Sequence, residues 1–225
     1  MNPDVVQAAA ADPLYSRYFD ALLAGDGEQC RQVVEAWLER DPDLRGLYEG
    51  LFRRALYAVG KMWEHGQVSV ATEHFATAMT ERMLTLVYPR LFSGRHSGKS
   101  ALVTCAANEH HQVGAKMVAD MFEMHGWRCW FLGAATPLQE ILDLIGDKRP
   151  DVVALSLTLY FNADALYAMA EAIRKAFPDQ PMLVGGQAFE HGGAERFERM
   201  PGMRHMKTLQ ELGAWIESQE AHVRQ

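Results

Sequence analysis

No stretch of the 225-residue chain reaches the roughly 20 consecutive apolar residues of a membrane helix, which excludes a helical span. Cysteine is scarce. Cys30, Cys105 and Cys129 are odd in number and share no metal-ligand spacing, so neither a complete disulfide framework nor a thiolate zinc site is indicated. A reducing cytoplasm is the expected setting. Positive charge is also short: 22 Lys plus Arg against 29 Asp plus Glu leave a net charge of −7, a balance that repels nucleic-acid phosphates and anionic lipid. Direct DNA binding and membrane association are therefore not expected. The amino end has neither a basic region nor an apolar stretch of signal-peptide length, so an unprocessed soluble protein is expected. Both the G-x-G-x-x-G and the Walker lysine motifs are missing, which disfavours a dinucleotide or nucleoside triphosphate. What remains is an ordinary globular composition, 48% hydrophobic and 23% charged, with nine histidines, of which His74, His110 and His111 fall in motif-like surroundings.

Residues 12–92 read as helices alone. Asp12-Pro13 is an N-cap followed by proline at the first helical position, and Gly25 stops the run. A second helix is predicted over 28–39, ended by Asp41-Pro42. A third, from Asp43 to about Gly66, buries Leu44, Leu47, Leu51, Leu56, Val59, Met62 and Trp63, and a fourth, over 69–91, turns Phe75, Met79, Met83, Leu86 and Val87 inward. Together they predict a four-helix bundle. The small, polar stretch 93–100 reads as a linker, dividing the chain into a bundle at 1–95 and a second domain at 96–225. Beyond it, apolar runs at 101–105, 129–132, 152–156 and 182–186 alternate with helical segments, starting with one at about 109–125. A weaker end holds a helix near 191–199, a short strand at 204–206 and a helix from Leu209 to about Val223. The fold class is therefore α/β, a helical bundle followed by a doubly wound parallel sheet, whose ligand site belongs at the carboxyl ends of the strands.

Three strand ends carry candidate residues. After the first strand, Glu109-His-His111-x-x-Gly114 puts a histidine on a loop with a carboxylate near enough to orient it, and a glycine that admits a close approach. The third strand ends in Ser156-Leu-Thr158, whose hydroxyls can bond a polar group. The fourth ends in Gly185-Gly186, which either makes room for a ligand or forms a tight turn. A zinc site at Glu109, His110 and His111 needs more ligands than the stretch supplies.

Glu109-x-His111-x-x-Gly114, then Ser156-x-Thr158, then Gly185-Gly186, in that order after a helical domain, resembles the cobalamin-binding proteins that place a four-helix cap over a doubly wound domain. The resemblance implies that His111 displaces the dimethylbenzimidazole and binds cobalt from below. Ser156 and Thr158 would line the slot for the nucleotide tail, Gly185-Gly186 would admit that tail, and the bundle would cover the upper corrin face. Methyl carriers of this family usually show Asp-x-His-Asp-x-Gly, whereas this chain has Glu109 first and Gln112 after His111. The light-sensing subgroup that includes the CarH regulators prefers Glu there and has in its cap Trp, nine residues, then Glu-His. Trp63, nine residues and Glu73-His74 match that pattern.

The resemblance thus implies a light sensor holding adenosylcobalamin or methylcobalamin, with Trp63, Glu73 and His74 around the upper ligand. His110 is a neighbour of the ligand rather than a ligand. Two departures matter. The CarH regulators begin with a helix-turn-helix domain, for which the residues ahead of the first helix leave no room, so output is expected through a protein partner or a homo-oligomer. Several also have His directly after the Trp, where this chain has Glu64 and then His65, so His65 and His74 are the candidates for an upper cobalt ligand after photolysis. Photocobilins, stand-alone sensors of this resemblance, hold a bilin such as biliverdin beside the corrin, and an aromatic, Met-rich cap could accommodate one. Without this resemblance Trp63 reads as a core aromatic and Glu73-His74 as a solvated helix start. No acid/base pair or nucleophile marks the chain as an enzyme on its own. A methyl carrier and a light-independent cobalamin sensor are the alternatives.

Overall fold

The computed structural model describes residues 12–92, 96–190 and 192–221. The start of the expected linker (93–95), the first eleven residues and the end of the last expected helix beyond 221 lie outside them. The chain forms two compact units that part between Pro89 and Arg90.

The first unit is helical. Helix α1 (Pro13–Ala24) is capped by the Asp12 carboxylate, which accepts the Leu14 N–H at 2.9 Å, and ends at Gly25 in the left-handed region. Helix α2 spans Gly27–Arg40. Helix α3 is continuous but uneven: an α turn (Leu44–Leu47), a π segment (Tyr48–Arg53), then α again (Arg54–Glu64). Helix α4 (Val70–Val87) starts at Ser69, whose hydroxyl accepts the Thr72 N–H. The buried centre holds Tyr18, Leu22, Val33, Val34, Leu47, Tyr48, Phe52 and Leu84, and the buried Tyr18 hydroxyl lies 3.5 Å from that of Thr80. Two details of the predicted stripes change. The π segment adds a residue to the turn, so the inward face of α3 runs through Tyr48, Phe52 and Ala55 while Leu56 is half-buried. On α4 the inward set is Ala76, Met79, Thr80, Met83, Leu84 and Val87; Phe75 and Leu86 are 40% and 41% exposed.

The second unit is a five-stranded sheet in the order β2-β1-β3-β4-β5, every neighbouring pair parallel. The strands are β1 (Ser100–Cys105), β2 (Arg128–Gly133), β3 (Val152–Ser156), β4 (Met182–Gly185) and β5 (Met203–Met206). The helices are α5 (Val113–Met124), α6 (Leu138–Lys148), α7 (Ala163–Ala176), the single turn α8 (Glu195–Glu198) and α9 (Leu209–Ala221). Helix α5 packs on β1 and β2, with α9 against α5 and β5. The other layer joins Ile141 and Ile145 of α6 and Leu166, Met169 and Ile173 of α7 to Leu102, Val153, Leu155 and Val184 of the strands. Central strands covered on both faces explain the unbroken apolar runs. No described helix is long and apolar enough to cross a membrane.

On the edge strand β5, the His205 side chain is only 8% exposed and meets the Phe189 ring edge-on at 5.3 Å. Burial, aided by Lys207, holds its pKa below the ordinary histidine value against the pull of Glu198 and more distant carboxylates. The unfolded chain therefore takes the proton first. This contribution to stability is complete above about pH 6.5 and shrinks as pH falls below it. His205→Phe is expected to flatten the fall of the urea midpoint between about pH 7 and pH 5; an unchanged slope would place the acid sensitivity elsewhere.

Candidate functional site

The chain leaves β1 toward β2 and leaves β3 toward β4, so the sheet has its switch point between the carboxyl ends of β1 and β3, where ligands of such folds bind. The two ends are tied in register, Cys105 opposite Ser156, and the Ala106 N–H donates to the Ser156 carbonyl at 3.0 Å. The turn after β1 is closed by the Glu109 N–H on the Ala106 carbonyl at 3.1 Å. Asn108 is in the left-handed region (φ 65°), a conformation asparagine tolerates better than most residues, and the buried Asn162 side chain reaches its carbonyl at 3.5 Å.

This turn drives the Glu109 carboxylate inward to 0% exposure. One oxygen accepts the His111 backbone N–H at 3.1 Å and faces His111 Nδ1 at 2.6 Å. The other accepts the backbone N–H groups of Thr158 at 3.1 Å and Leu159 at 2.9 Å. Burial alone would raise the pKa of Glu109, but these bonds and the imidazole outweigh it and hold the carboxyl at about 2. With Nδ1–H committed to the carboxylate, Nε2 is the basic nitrogen of the ring, and the His111 side chain is 34% exposed. Burial and the nearby Glu109 push the Cys105 thiol up to about 12, so this cysteine is an inert donor, its Sγ 3.8 Å from the His111 carbonyl. His110 is exposed, and a Cβ placed on Gly114 would meet nothing within 4 Å. Helix α5 starts only at Val113, which leaves residues 109–112 as loop.

The remaining strand-end residues converge on the same edge. Ser156 is 8% exposed. Thr158 is linked to Glu109 through its backbone N–H. The double glycine is demanded by the protein itself. A Cβ on Gly185 would lie 2.8 Å from the Met206 carbonyl oxygen, and one on Gly186, at φ 120°, would lie 2.1 Å from that of Leu157. Gly186→Ala is therefore expected to cost more than about 1–3 kcal/mol, since overpacking adds to backbone strain. A urea midpoint equal to wild type would show that the strand ends relax freely.

Sequence reasoning missed the segment after Thr158. Tyr160 and Phe161 are 58% and 78% exposed on a single 3-10 turn between β3 and α7, directly beyond the two amides bound to Glu109. The available signal was two adjacent aromatics in a loop at a strand's carboxyl end. In the helical unit, Trp63 in the last turn of α3 is 44% exposed and so is not the core aromatic its spacing allows. The His65 ring packs back on the Lys61 carbonyl at 2.7 Å. At the start of α4, the largely exposed His74 ring faces Glu73 at 2.6 Å, and Glu73 also accepts the Thr77 hydroxyl at 3.0 Å. Among the described residues no three His, Cys, Asp or Glu side chains form a metal cluster.

Residues 99–203 match a family model described as a B12 binding domain, and residues 14–88 match a second of the same description. The chain belongs to the B12-binding proteins. Among relatives of this B12-binding protein, the HTH-type transcriptional repressor CarA of Myxococcus xanthus is 28% identical over 211 residues, 93% of this chain. The chain spans just under two thirds, 66%, of that relative. Trimethylamine corrinoid protein 1 of Methanosarcina acetivorans is 21% identical, with 84% of this chain and 89% of the relative covered. The solved monomethylamine corrinoid protein of Methanosarcina barkeri shares the fold, with a TM-score of 0.77 at 11% identity over 91% of this chain and 98% of its own. The B12-binding protein thus has the fold class expected from its sequence, a helical region followed by a parallel-sheet domain.

Proposed function

We propose that the protein is a cobalamin-dependent photoreceptor that signals in the cytoplasm through a protein partner or a change in its own assembly. The observation that carries this reading is that Trp63 and His74 are left exposed on either side of the Gly66 turn, with the half-buried Glu73 against His74, in the spacing of the light-sensing subgroup. Its similarity to a transcriptional repressor supports a regulatory role, and a net charge of −7 argues that DNA is not the direct target.

The residues present fit the cofactor. His111, oriented by a buried carboxylate, offers Nε2 as an imidazole donor to a transition metal, and Gly114 leaves open space at the start of α5. Trp63, Glu73 and His74 would pack around the upper ligand, and His74 or His65 would bind from above once that ligand leaves. When bound, an alkylcobalamin supplies a cobalt–carbon bond that visible light breaks. Loss of the contacts made by Trp63 and its neighbours would then shift the bundle between two packings.

The test is an absorption spectrum and a size-exclusion profile of the protein loaded with adenosylcobalamin or methylcobalamin, in the dark and after green light. A spectral change accompanied by a change in assembly is expected, and Trp63→Ala is expected to alter the photolysis rate and products. A dark band that survives removal of cobalamin would identify a bilin as second chromophore. A loaded protein with no assembly or partner response to light would overturn the reading in favour of a methyl carrier, which the similarity to trimethylamine corrinoid protein 1 supports, or of a light-independent sensor.

A further inference from the structure

Phe161 is the most exposed large apolar side chain among the described residues, and Tyr160 beside it is the next. Single apolar residues on a surface are ordinary, but an adjacent aromatic pair fastened in place is not. The turn that carries them (Tyr160–Asn162) is tied to the His111 loop from both ends. Just ahead of it, the Thr158 and Leu159 N–H groups donate to the Glu109 carboxylate at 3.1 and 2.9 Å. At its end, the buried Asn162 reaches the Asn108 carbonyl with its side chain at 3.5 Å, while its N–H closes the turn on the Leu159 carbonyl at 3.0 Å. Tyr160 has a further seat: a Cβ on Gly193, at φ 89°, would lie 2.7 Å from its Cε2, so the ring rests on bare backbone beyond β4. Glu109 also orients the His111 ring at 2.6 Å, so one buried carboxylate sets both the imidazole and the aromatic turn.

Holding aromatic rings at the surface costs conformational freedom without the return of burial, a cost that a ligand packing on them would offset. Rings fixed in advance also bind with little further ordering cost. Of the parts of cobalamin, the macrocycle and the nucleotide tail both have apolar surface. A tail inserted into the sheet domain meets buried residues, such as the 8% exposed Ser156, whereas side chains standing out from the strand ends meet what lies across that edge. We propose that Tyr160 and Phe161 form an apolar rest for the corrin macrocycle beside His111, and so set affinity for the ring rather than for the tail. The inference rests on the cobalamin reading above.

The test is calorimetric titration in the dark with adenosylcobalamin and with adenosylcobinamide, which has the same macrocycle but no nucleotide tail. Phe161→Ala is expected to weaken both by the same factor, about tenfold, as loss of a buried phenyl ring does. Phe161→Leu should recover part of the loss, and Tyr160→Ala should again weaken both ligands alike. Because Phe161 is 78% exposed, its variants are expected to keep the wild-type urea midpoint, which separates lost contact from lost fold even if Tyr160→Ala is destabilised. Wild-type protein that binds neither corrinoid would overturn the cobalamin reading itself. Wild-type binding with unchanged affinities in the Phe161 and Tyr160 variants would overturn only this proposal. A loss confined to adenosylcobalamin would also overturn it, by assigning the aromatic pair to the tail.

Discussion

Glu109→Gln is expected to destabilise the protein by about 3–5 kcal/mol, the penalty typical of breaking a buried charged pair. Four donors converge on the two Glu109 oxygens: the backbone N–H groups of His111, Thr158 and Leu159, and His111 Nδ1. The glutamine amide has nearly the same shape but only one oxygen, so its NH₂ must face either the Thr158 and Leu159 amides or the His111 pair. Buried donors would then point at donors, which costs about 1–3 kcal/mol for each group left without an acceptor. The pH dependence agrees in sign. A carboxyl held at about 2 in the folded chain, against an ordinary value of 4.5, contributes stability that is complete above about pH 4.5 and is lost as pH falls toward 2. The size of that term, about 3 kcal/mol, matches the mutational expectation. Urea unfolding of the cobalamin-free protein at neutral pH measures it, with the melting temperature falling by roughly 6–20 °C. A loss under about 1 kcal/mol would mean that the strand-end loops rearrange to water and that Glu109 does not tie β1 to β3.

The role of Glu109 shows what the sequence could and could not reveal. Alternating apolar runs and amphipathic segments were enough for the parallel sheet, because a strand buried on both faces has to read as a continuous run, as at 152–156. The motif order put Glu109, Thr158 and Gly185 at strand ends, and the structure brings those ends together at one edge of the sheet. Spacing could not show that the carboxylate reaches 49 and 50 residues along the chain to the amides of Thr158 and Leu159, since backbone donors leave no mark in a sequence. The double glycine was legible as a demand for space, but what it makes space for is the backbone carbonyls of Leu157 and Met206, set by the pairing of β3, β4 and β5. In the bundle, a strict helical period projected Leu56 inward because nothing in 48–53 announces a π segment. The exposure of Trp63 and Phe75 follows from hydrophobicity being a poor guide to burial at helix ends, where a stripe runs past its partners.

His111→Ala is expected to leave the cobalamin-free protein folded yet to weaken cobalamin binding by more than the roughly 10–100-fold that loss of a ligand's supporting partner costs. The two consequences separate because the His111 side chain is 34% exposed and the backbone N–H that bonds Glu109 survives the substitution. Glu109 would keep three of its four donors, so the link between β1 and β3 persists without the imidazole. A spectroscopic readout then distinguishes ligation from packing. In the paramagnetic cobalt(II) state, a histidine nitrogen bound axially splits the electron spin resonance lines into triplets, which become doublets when the protein's histidines carry nitrogen-15. That isotope effect is expected in the wild type and absent from His111→Ala, with free imidazole partly restoring affinity to the variant. A wild-type spectrum indifferent to histidine labelling would assign the lower nitrogen to the cofactor's own base and leave the Glu109–His111 pair as a structural clasp. Glu109→Gln should retain the doublets while lowering affinity, since it removes the group that orients the ring but not the nitrogen itself. Loss of the histidine signal in both variants, with both still folded, would instead show that ring orientation decides whether His111 ligates at all.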